Sequence, residues 1–284
     1  DTDISACIDD VDPTSVELAS PDHPLIQYVG AEEIEAYLAA VPAVRLLPNL
    51  PGVASAYTAL HGVGGATLLA AFERAGLPTP SVVAVQQQPD GTFPTVSFPN
   101  PEEPGAMDLL MAQAAQSGAL IALANDPDAD RMAAAIPTPA SLTSPGGWRR
   151  LGGDEIGWLL ADHILAHTSG EGRLVITTLV SSSLLGRMAA AHGVTCLETF
   201  TGFKWIGHTV LQRPELHFVF GYEQALGYLV CGQPLDKDGI TAAVLMAEVA
   251  ALAAAEGVTL QDRLDAITAT YGRHVMAEKS LRMA

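Results

Sequence analysis

The sequence has 284 residues, of which 49% are hydrophobic, so the chain can bury a sizeable core, and its length predicts about two domains. Its formal net charge is −18, from 14 Lys and Arg against 32 Asp and Glu, which argues against nucleic acid or an anionic membrane surface as the main partner. The three cysteines are widely spaced and lack His at zinc-ligand spacing. They indicate neither a disulfide framework nor a structural zinc site and favour a reducing cytoplasm.

Residues 1–50 form an acidic segment that we expect to be a linker and the tail of a preceding domain. Arg45 faces ten carboxylates there, so half of the net charge belongs to this segment. Apolar residues at helical spacing predict one helix at 31–40. No basic segment followed by an apolar one opens the sequence, so we expect no secretory signal in it. The chain begins at Asp1 rather than Met, so we expect that upstream sequence has been removed.

From residue 51 to 145 strand-like and helix-like patterns alternate, which predicts a parallel sheet covered by helices. A Pro-rich stretch at 137–147 interrupts the alternation and marks a domain boundary. The strands are predicted at 53–57, 82–85 and 120–124, and the helices at 67–75 and 107–117.

A second series at 146–259 follows the same alternation. The predicted fold class is therefore α/β, with two tandem three-layer α/β/α domains built on mostly parallel mixed sheets. The apolar run 242–255 is interrupted by Glu248 and is shorter than the roughly 20 residues of a membrane span, so we interpret it as a buried helix. Residues 260–284 begin with a short helix that we expect to open a further domain. The second series is predicted to contain helices at 155–167, 184–192, 205–211 and 240–255, and strands at 174–178, 195–200 and 218–221.

The apolar run 118–125 predicts a buried strand that carries three carboxylates at its carboxyl end, where open α/β sheets place their ligands. Asp126, Asp128 and Asp130 would repel one another unless a cation lies between them, and hard oxygen ligands favour Mg²⁺. A divalent ion leaves one excess negative charge, which Arg131 can offset while it also reaches a phosphate oxygen. The spacing therefore predicts a magnesium site.

Three other interpretations of this cluster compete with the magnesium site. An EF-hand loop would need Gly and Glu where the chain has Arg131 and Pro137, so that interpretation fails. A phosphatase of the haloacid-dehalogenase type, with Asp126 as nucleophile and Asp128 as acid, stays open, although its motif normally ends in Thr or Val where this chain has Asp130. A strand-to-helix turn with Asp as the helix N-cap also stays open.

Four stretches carry a family pattern in their order and spacing. They are YTALHGVGG at 57–65, ANDPDADR at 124–131, TGFKWIG at 201–207, and GYEQALGY at 221–228 followed by DKDG at 236–239. Together they resemble the alpha-D-phosphohexomutase superfamily, the phosphoglucomutases and phosphomannomutases, over residues 57 to about 271. The stretch FPNPEE at 98–103 resembles the branch that includes phosphopentomutase-like members.

In that family a phosphoserine donates its phosphoryl group to a sugar monophosphate, and the bisphosphate returns the other phosphate, so that phosphate moves between C1 and C6 or C5. The resemblance implies a hexose or pentose phosphate as substrate, Mg²⁺ on the three aspartates, and Arg131 as a phosphate partner. His208 and Lys237 lie near the implied ligand loops. Many members have Ser where this chain has Ala225, which leaves the choice of sugar open. The resemblance implies substrate contacts at Thr201, Gly202, Lys204, Glu223 and Ala225.

Two motifs of the family do not occur in the 284 residues: the Thr-Ala-Ser-His-Asn-Pro-like loop that holds the phosphoserine and the terminal Arg-x-Ser-Gly-Thr-like phosphate loop. We therefore expect a metal-binding domain at 51–145 and a sugar-binding domain at 146–259, with the first and fourth domains missing from the chain. Such a chain is expected to bind magnesium weakly and to be inactive alone. A non-catalytic sugar-phosphate-binding module is the remaining alternative.

Overall fold

The computed structural model describes residues 2–139, 147–232 and 234–276. The chain divides into two compact units, Asp1–Ala36 and Tyr37–Ala284. The described part of the first unit contains helix α1 (Thr2–Asp9), and its side chains are almost all exposed. Helix α2 (Ala31–Ala40) has the bounds that the sequence predicted.

The second unit begins with a five-stranded sheet and its helices. They are β1 (Ser55–Thr58), α3 (Gly65–Arg74), β2 (Ser81–Val82), α4 (Asp108–Ser117), β3 (Ile121–Asn125), β4 (Met132–Thr138) and β5 (Gly147–Arg150). The strand order is β2-β1-β3-β4-β5. β1 pairs in parallel with β2 and β3, whereas β4 is antiparallel to both β3 and β5. The first sheet is therefore mixed, with its antiparallel pairs at one side.

Strands β4 and β5 were not predicted from the sequence. β4 opens with Met and three alanines, which have little strand preference, and it contains Pro137, which normally interrupts a strand. Pro137 nevertheless pairs with Trp148 of β5. β5 lies just beyond residue 145, so the first sheet extends past that residue to Arg150.

A second sheet and its helices follow in the same unit. They are α5 (Gly153–His167), β6 (Arg173–Thr178), α6 (Leu184–Ala191), β7 (Thr195–Thr199), α7 (Phe203–Leu211), β8 (His217–Glu223), β9 (Gly227–Leu229), α8 (Gly239–Ala255) and α9 (Leu260–Tyr271). The strand order is β7-β6-β8-β9, parallel except for the β8–β9 hairpin. On β6, Leu174 and Ile176 pack with Phe203 and Ile206 of α7, whereas Val175 belongs to the main core that contains α5 and α6. Helices thus cover both faces, and the predicted three-layer α/β/α class is confirmed.

The two sheets share one topology. In each, the first strand is central, the second pairs on one side, the third pairs on the other side, and the fourth returns antiparallel to the third. Consequently the β3–β4 loop at 126–131 and the β8–β9 loop at 224–226 occupy equivalent places. Both loops begin at the carboxyl end of a parallel strand, the edge at which such sheets place ligands.

Helix α8 joins the two sheets in one buried core. It packs against β3 and β4 of the first sheet and against β9 of the second. Its Glu248 is fully buried, lies 2.9 Å from Arg45 Nε, and lies 2.9 Å from Nε2 of His163 on α5. The predicted buried helix is thus confirmed, and its one charge is paired. Among the described residues no single helix is long and apolar enough to cross a membrane; α8 and α9 reach that length only together, across a 90° bend.

Candidate functional site

The carboxylate loop, residues 126–131, turns the chain from β3 into β4. Asp126 fixes this turn with two acceptors: its carbonyl oxygen accepts from Ala129 N at 3.0 Å, and its Oδ1 accepts from Arg131 N at 3.0 Å. Ala129 has a left-handed φ of 60°, which closes the loop tightly. The loop leads into a strand and not into a helix, so the interpretation of the aspartates as a helix N-cap is wrong.

Asp126, Asp128 and Asp130 each offer one carboxylate oxygen within 4.8 Å of the others. The Asp126 side chain is 14% exposed, that of Asp130 is 33% exposed, and Asp128 is exposed. Burial raises the pKa of Asp126 to about 6; the hydrogen bond from the Arg131 amide opposes this rise, whereas the neighbouring carboxylates add to it. Three hard oxygen donors this close together fit a divalent cation such as Mg²⁺.

Two cationic side chains lie beside the carboxylates of Asp126 and Asp130. Arg131 Nε lies 3.7 Å from Asp126 Oδ2 and 3.9 Å from Asp130 Oδ1. Lys237 Nζ lies 2.5 Å from Asp130 Oδ2. Burial lowers the pKa of Lys237, but the hydrogen bond and the charge of Asp130 outweigh burial and raise that pKa overall, so the amine stays protonated. The sequence placed Lys237 only near the ligand loops and missed this ion pair.

A Gly-rich turn that follows β1 supports the carboxylate loop from one side. Val63 N donates to Pro127 O at 2.8 Å, and a Cβ at Gly62 would overlap the Pro127 backbone. His61 is buried, has a left-handed φ of 62°, and its Nε2 lies 2.8 Å from Thr95 Oγ1. His61 therefore shapes the turn, and Gly62 lets the two loops approach closely.

The residues predicted to contact substrate lie at the carboxyl ends of β7 and β8. Glu223 ends β8, and its Oε1 accepts a hydrogen bond from Gly202 N at 2.7 Å, so the two segments are joined directly. Thr201 and Lys204 are exposed on either side of Gly202, and Lys204 Nζ lies 5.9 Å from the Trp205 ring centroid. The predicted strand-to-helix connection is confirmed, since β7 ends at Thr199 and α7 begins at Phe203. Ala225 is half-buried in the β8–β9 loop.

The sugar loop, residues 223–227, is joined to the carboxylate loop and its following strand by backbone hydrogen bonds. Arg131 and Gly227 form an antiparallel β-bridge, and Met132 N donates to Leu226 O at 3.1 Å. The carboxylate loop is also held by helix α8, because Gly239 N at the start of α8 donates to Ala129 O at 3.1 Å. Backbone hydrogen bonds thus join the two topologically equivalent loops, and they fix the three carboxylates and Glu223 in one framework of backbone.

Two family models match the chain. One, described as "Phosphoglucomutase/phosphomannomutase, alpha/beta/alpha domain II", matches residues 36–139, and the corresponding model of domain III matches residues 152–271. The first range holds the carboxylate loop and the second holds the sugar loop. The two models therefore cover the whole framework described here.

Individual relatives show the same similarity. The chain is 38% identical over 286 residues to a "probable phosphomannomutase" of Haemophilus influenzae, covering 100% of this chain and 56% of that protein. It is 38% identical over 230 residues to a human phosphopentomutase, covering 77% of this chain and 37% of that protein. The chain thus spans about half the length, or less, of these relatives.

A solved structure shows the fold. The crystal structure of a "putative phosphomannomutase" from Thermus thermophilus superposes with a TM-score of 0.66 at 24% identity, covering 83% of this chain and 50% of that one. Since the sequence resemblance, both domain models and these relatives agree, the chain belongs to the phosphoglucomutase/phosphomannomutase family of the alpha-D-phosphohexomutase superfamily.

Proposed function

We propose that this chain supplies the metal-binding and sugar-recognising parts of a magnesium-dependent phosphohexomutase. Such an enzyme moves a phosphoryl group between C1 and C6 or C5 of a sugar phosphate through a phosphoserine and a bisphosphate. The relatives named as phosphomannomutase and phosphopentomutase support this activity. The observation that carries the proposal is the backbone bridge between Arg131 and Gly227, because it fixes the carboxylate loop against the sugar loop.

In this proposal Asp126, Asp128 and Asp130 hold the ion. When bound, Mg²⁺ neutralises charge on the phosphoryl group that is transferred. Arg131 lies beside two of these carboxylates, with a side chain that is 37% exposed, so its guanidinium can turn from them to a phosphate oxygen. Lys237 stands at Asp130 and therefore competes with a cation for that carboxylate.

Sugar recognition is assigned to Glu223 and to residues 201–204. A carboxylate can accept hydrogen bonds from two neighbouring sugar hydroxyls, and the Gly202 amide holds Glu223 in place for this role. Lys204 is exposed and offers an ammonium group to the phosphate of the substrate. Ala225 replaces the Ser of many family members, so hexose and pentose phosphates both remain candidate substrates.

In this proposal, residues 51–145 are the metal-binding domain and residues 146–259 are the sugar-binding domain. A cytoplasmic location remains a prediction. Because no phosphoserine motif occurs in the 284 residues, we expect no conversion of glucose 1-phosphate to glucose 6-phosphate by this chain alone.

Calorimetric titration with Mg²⁺ tests the metal assignment. Asp128 is exposed, so Asp128→Asn removes a ligand without disturbing the core, and we expect at least a roughly 10-fold loss of Mg²⁺ affinity. Asp265→Asn, an exposed change on α9, is the matched control and is expected to leave the affinity unchanged. Equal Mg²⁺ affinity of Asp128→Asn and the unchanged chain would contradict the assignment.

An aryl phosphate assay separates the mutase proposal from the phosphatase alternative. The mutase proposal predicts no hydrolysis by this chain. Hydrolysis that is abolished by Asp126→Asn would instead make Asp126 a nucleophile and would replace the proposal.

A further inference from the structure

The two ends of the carboxylate loop are joined by the side chain of Asn125, to which the proposed function gives no role. Asn125, the last residue of β3, is fully buried, and its Nδ2 donates to Arg131 O at 2.6 Å. This bond joins the residue before the loop to the last residue of the loop. The two ends from which Asp126 and Asp130 project are therefore held at a fixed separation.

The orientation of the Asn125 amide is set by Tyr57 on the neighbouring strand β1. The Tyr57 hydroxyl donates to Asn125 Oδ1 at 3.0 Å, which leaves Nδ2 directed at Arg131 O. Tyr57 is opposite Leu123 in the sheet, so Asn125, two residues further on, lies on the same face within reach of the ring. Burial and the nearby charge of Asp126 raise the pKa of Tyr57, which keeps its hydroxyl protonated as a donor.

Gly239, the first residue of helix α8, packs against the Asn125 side chain and Arg131 O. A Cβ at Gly239 would overlap both Arg131 O and the Asn125 amide, so only glycine allows this approach. Gly239 N also donates to Ala129 O in the middle of the loop. The Asn125 amide thus lies between β1 and α8, and its two hydrogen-bond partners are the Tyr57 hydroxyl on β1 and Arg131 O at the end of the loop.

We infer, on the basis of the proposed metal site, that Tyr57 and Asn125 are positioning residues. They hold the carboxylate loop in the conformation that the short, nearly octahedral coordination of Mg²⁺ requires. Neither side chain is a ligand; both act through the backbone that carries the ligands. Mg²⁺ requires nearly octahedral coordination with short bonds, whereas Ca²⁺ accepts longer and less regular ones. A loop whose ends are free to separate therefore loses affinity for Mg²⁺ more than for Ca²⁺.

The test compares Mg²⁺ and Ca²⁺ binding by calorimetry for the unchanged chain and for Tyr57→Phe, which removes only the hydroxyl. We expect about a 5-fold loss of Mg²⁺ affinity and less than about a 2-fold loss of Ca²⁺ affinity. Tyr222→Phe is the matched control, because Tyr222 of β8 is equally buried and its hydroxyl donates to Asp154 Oδ1 of α5 at 2.7 Å, away from the carboxylate loop. That variant is expected to keep the Mg²⁺-to-Ca²⁺ affinity ratio.

Amide hydrogen exchange without metal gives a second readout. Tyr57→Phe is expected to speed exchange at the amides of Ala129 and Arg131, which bond to Asp126, and Tyr222→Phe is not. An unchanged affinity ratio in Tyr57→Phe would overturn the positioning role while leaving the metal site in place. Failure of the unchanged chain to bind Mg²⁺ would overturn both.

Discussion

Replacement of Arg45 by Met is expected to be among the most destabilising single changes in this chain. All of the N–H groups of the Arg45 guanidinium are bonded: Nε to Glu248, and the two terminal nitrogens to the carbonyl oxygens of residues 47, 48, 50 and 75. The Arg45 side chain is 3% exposed and that of Glu248 is 0% exposed. Met fills similar space but leaves the Glu248 carboxylate buried without its cation.

Loss of one partner from a buried ion pair costs about 3–5 kcal/mol. For a unit of this size each kcal/mol lowers the melting temperature by roughly 2–4 °C, so Arg45→Met is expected to lower it by roughly 6–20 °C. The assay is thermal unfolding followed by circular dichroism, with urea unfolding to give the free energy.

Arg149→Met is the control for this experiment. Arg149 pairs with Glu155 at 2.9 Å, but both side chains are about 30% exposed, 31% and 29%. An ion pair with this exposure contributes about 1 kcal/mol or less. An unfolding free energy that falls no more for Arg45→Met than for Arg149→Met would show that the Arg45–Glu248 pair does not stabilise the core.

Three further changes are expected to have defined outcomes. Burial alone would raise the pKa of Glu248, but hydrogen bonds from His163 and from backbone amides outweigh it and lower that pKa. The free energy of unfolding should therefore decrease as the pH drops below about 4.3, the ordinary pKa of a glutamate, and Glu248→Gln should make this decrease smaller. Because burial raises the pKa of Asp126 to about 6, Mg²⁺ affinity measured by calorimetry should drop roughly 10-fold from pH 7 to pH 5. Gly239→Ala, which forces a Cβ into the carboxylate loop, should weaken Mg²⁺ binding, whereas Gly91→Ala, with open space around it, should not.

The sequence predicted best those elements whose pattern is local. The helices at 31–40 and 184–192 and the strands at 120–124 and 174–178 were placed within two residues of their observed bounds. The two strands are buried, mostly apolar runs and the helix at 184–192 buries four apolar residues, whereas in the helix at 31–40 only Leu38 is buried. The strands that were missed, β4, β5 and β9, are antiparallel additions, one of them alanine-rich and one only three residues long. Their pairing depends on neighbours in space rather than on local pattern.

The candidate site was predictable where the chemistry lies in adjacent residues. The three aspartates and Arg131 stand in one short loop, so their proximity followed from spacing alone. Contacts between distant segments did not follow: the Lys237–Asp130 pair, the bond from Gly202 to Glu223, and the Tyr57–Asn125 pair each join residues far apart in the chain. The Tyr57–Asn125 pair depends on the pairing of β1 with β3, the Gly202–Glu223 bond on the adjacent ends of β7 and β8, and the Lys237–Asp130 pair on the packing of the two domains against each other.

The most direct test of the metal centre is a crystal structure of this chain grown with Mn²⁺ as a stand-in for Mg²⁺, with anomalous diffraction data. We predict one anomalous peak enclosed by the carboxylates of Asp126, Asp128 and Asp130, with the Lys237 ammonium displaced from Asp130. Mn²⁺ bound at another place, with Lys237 still paired to Asp130, would contradict it.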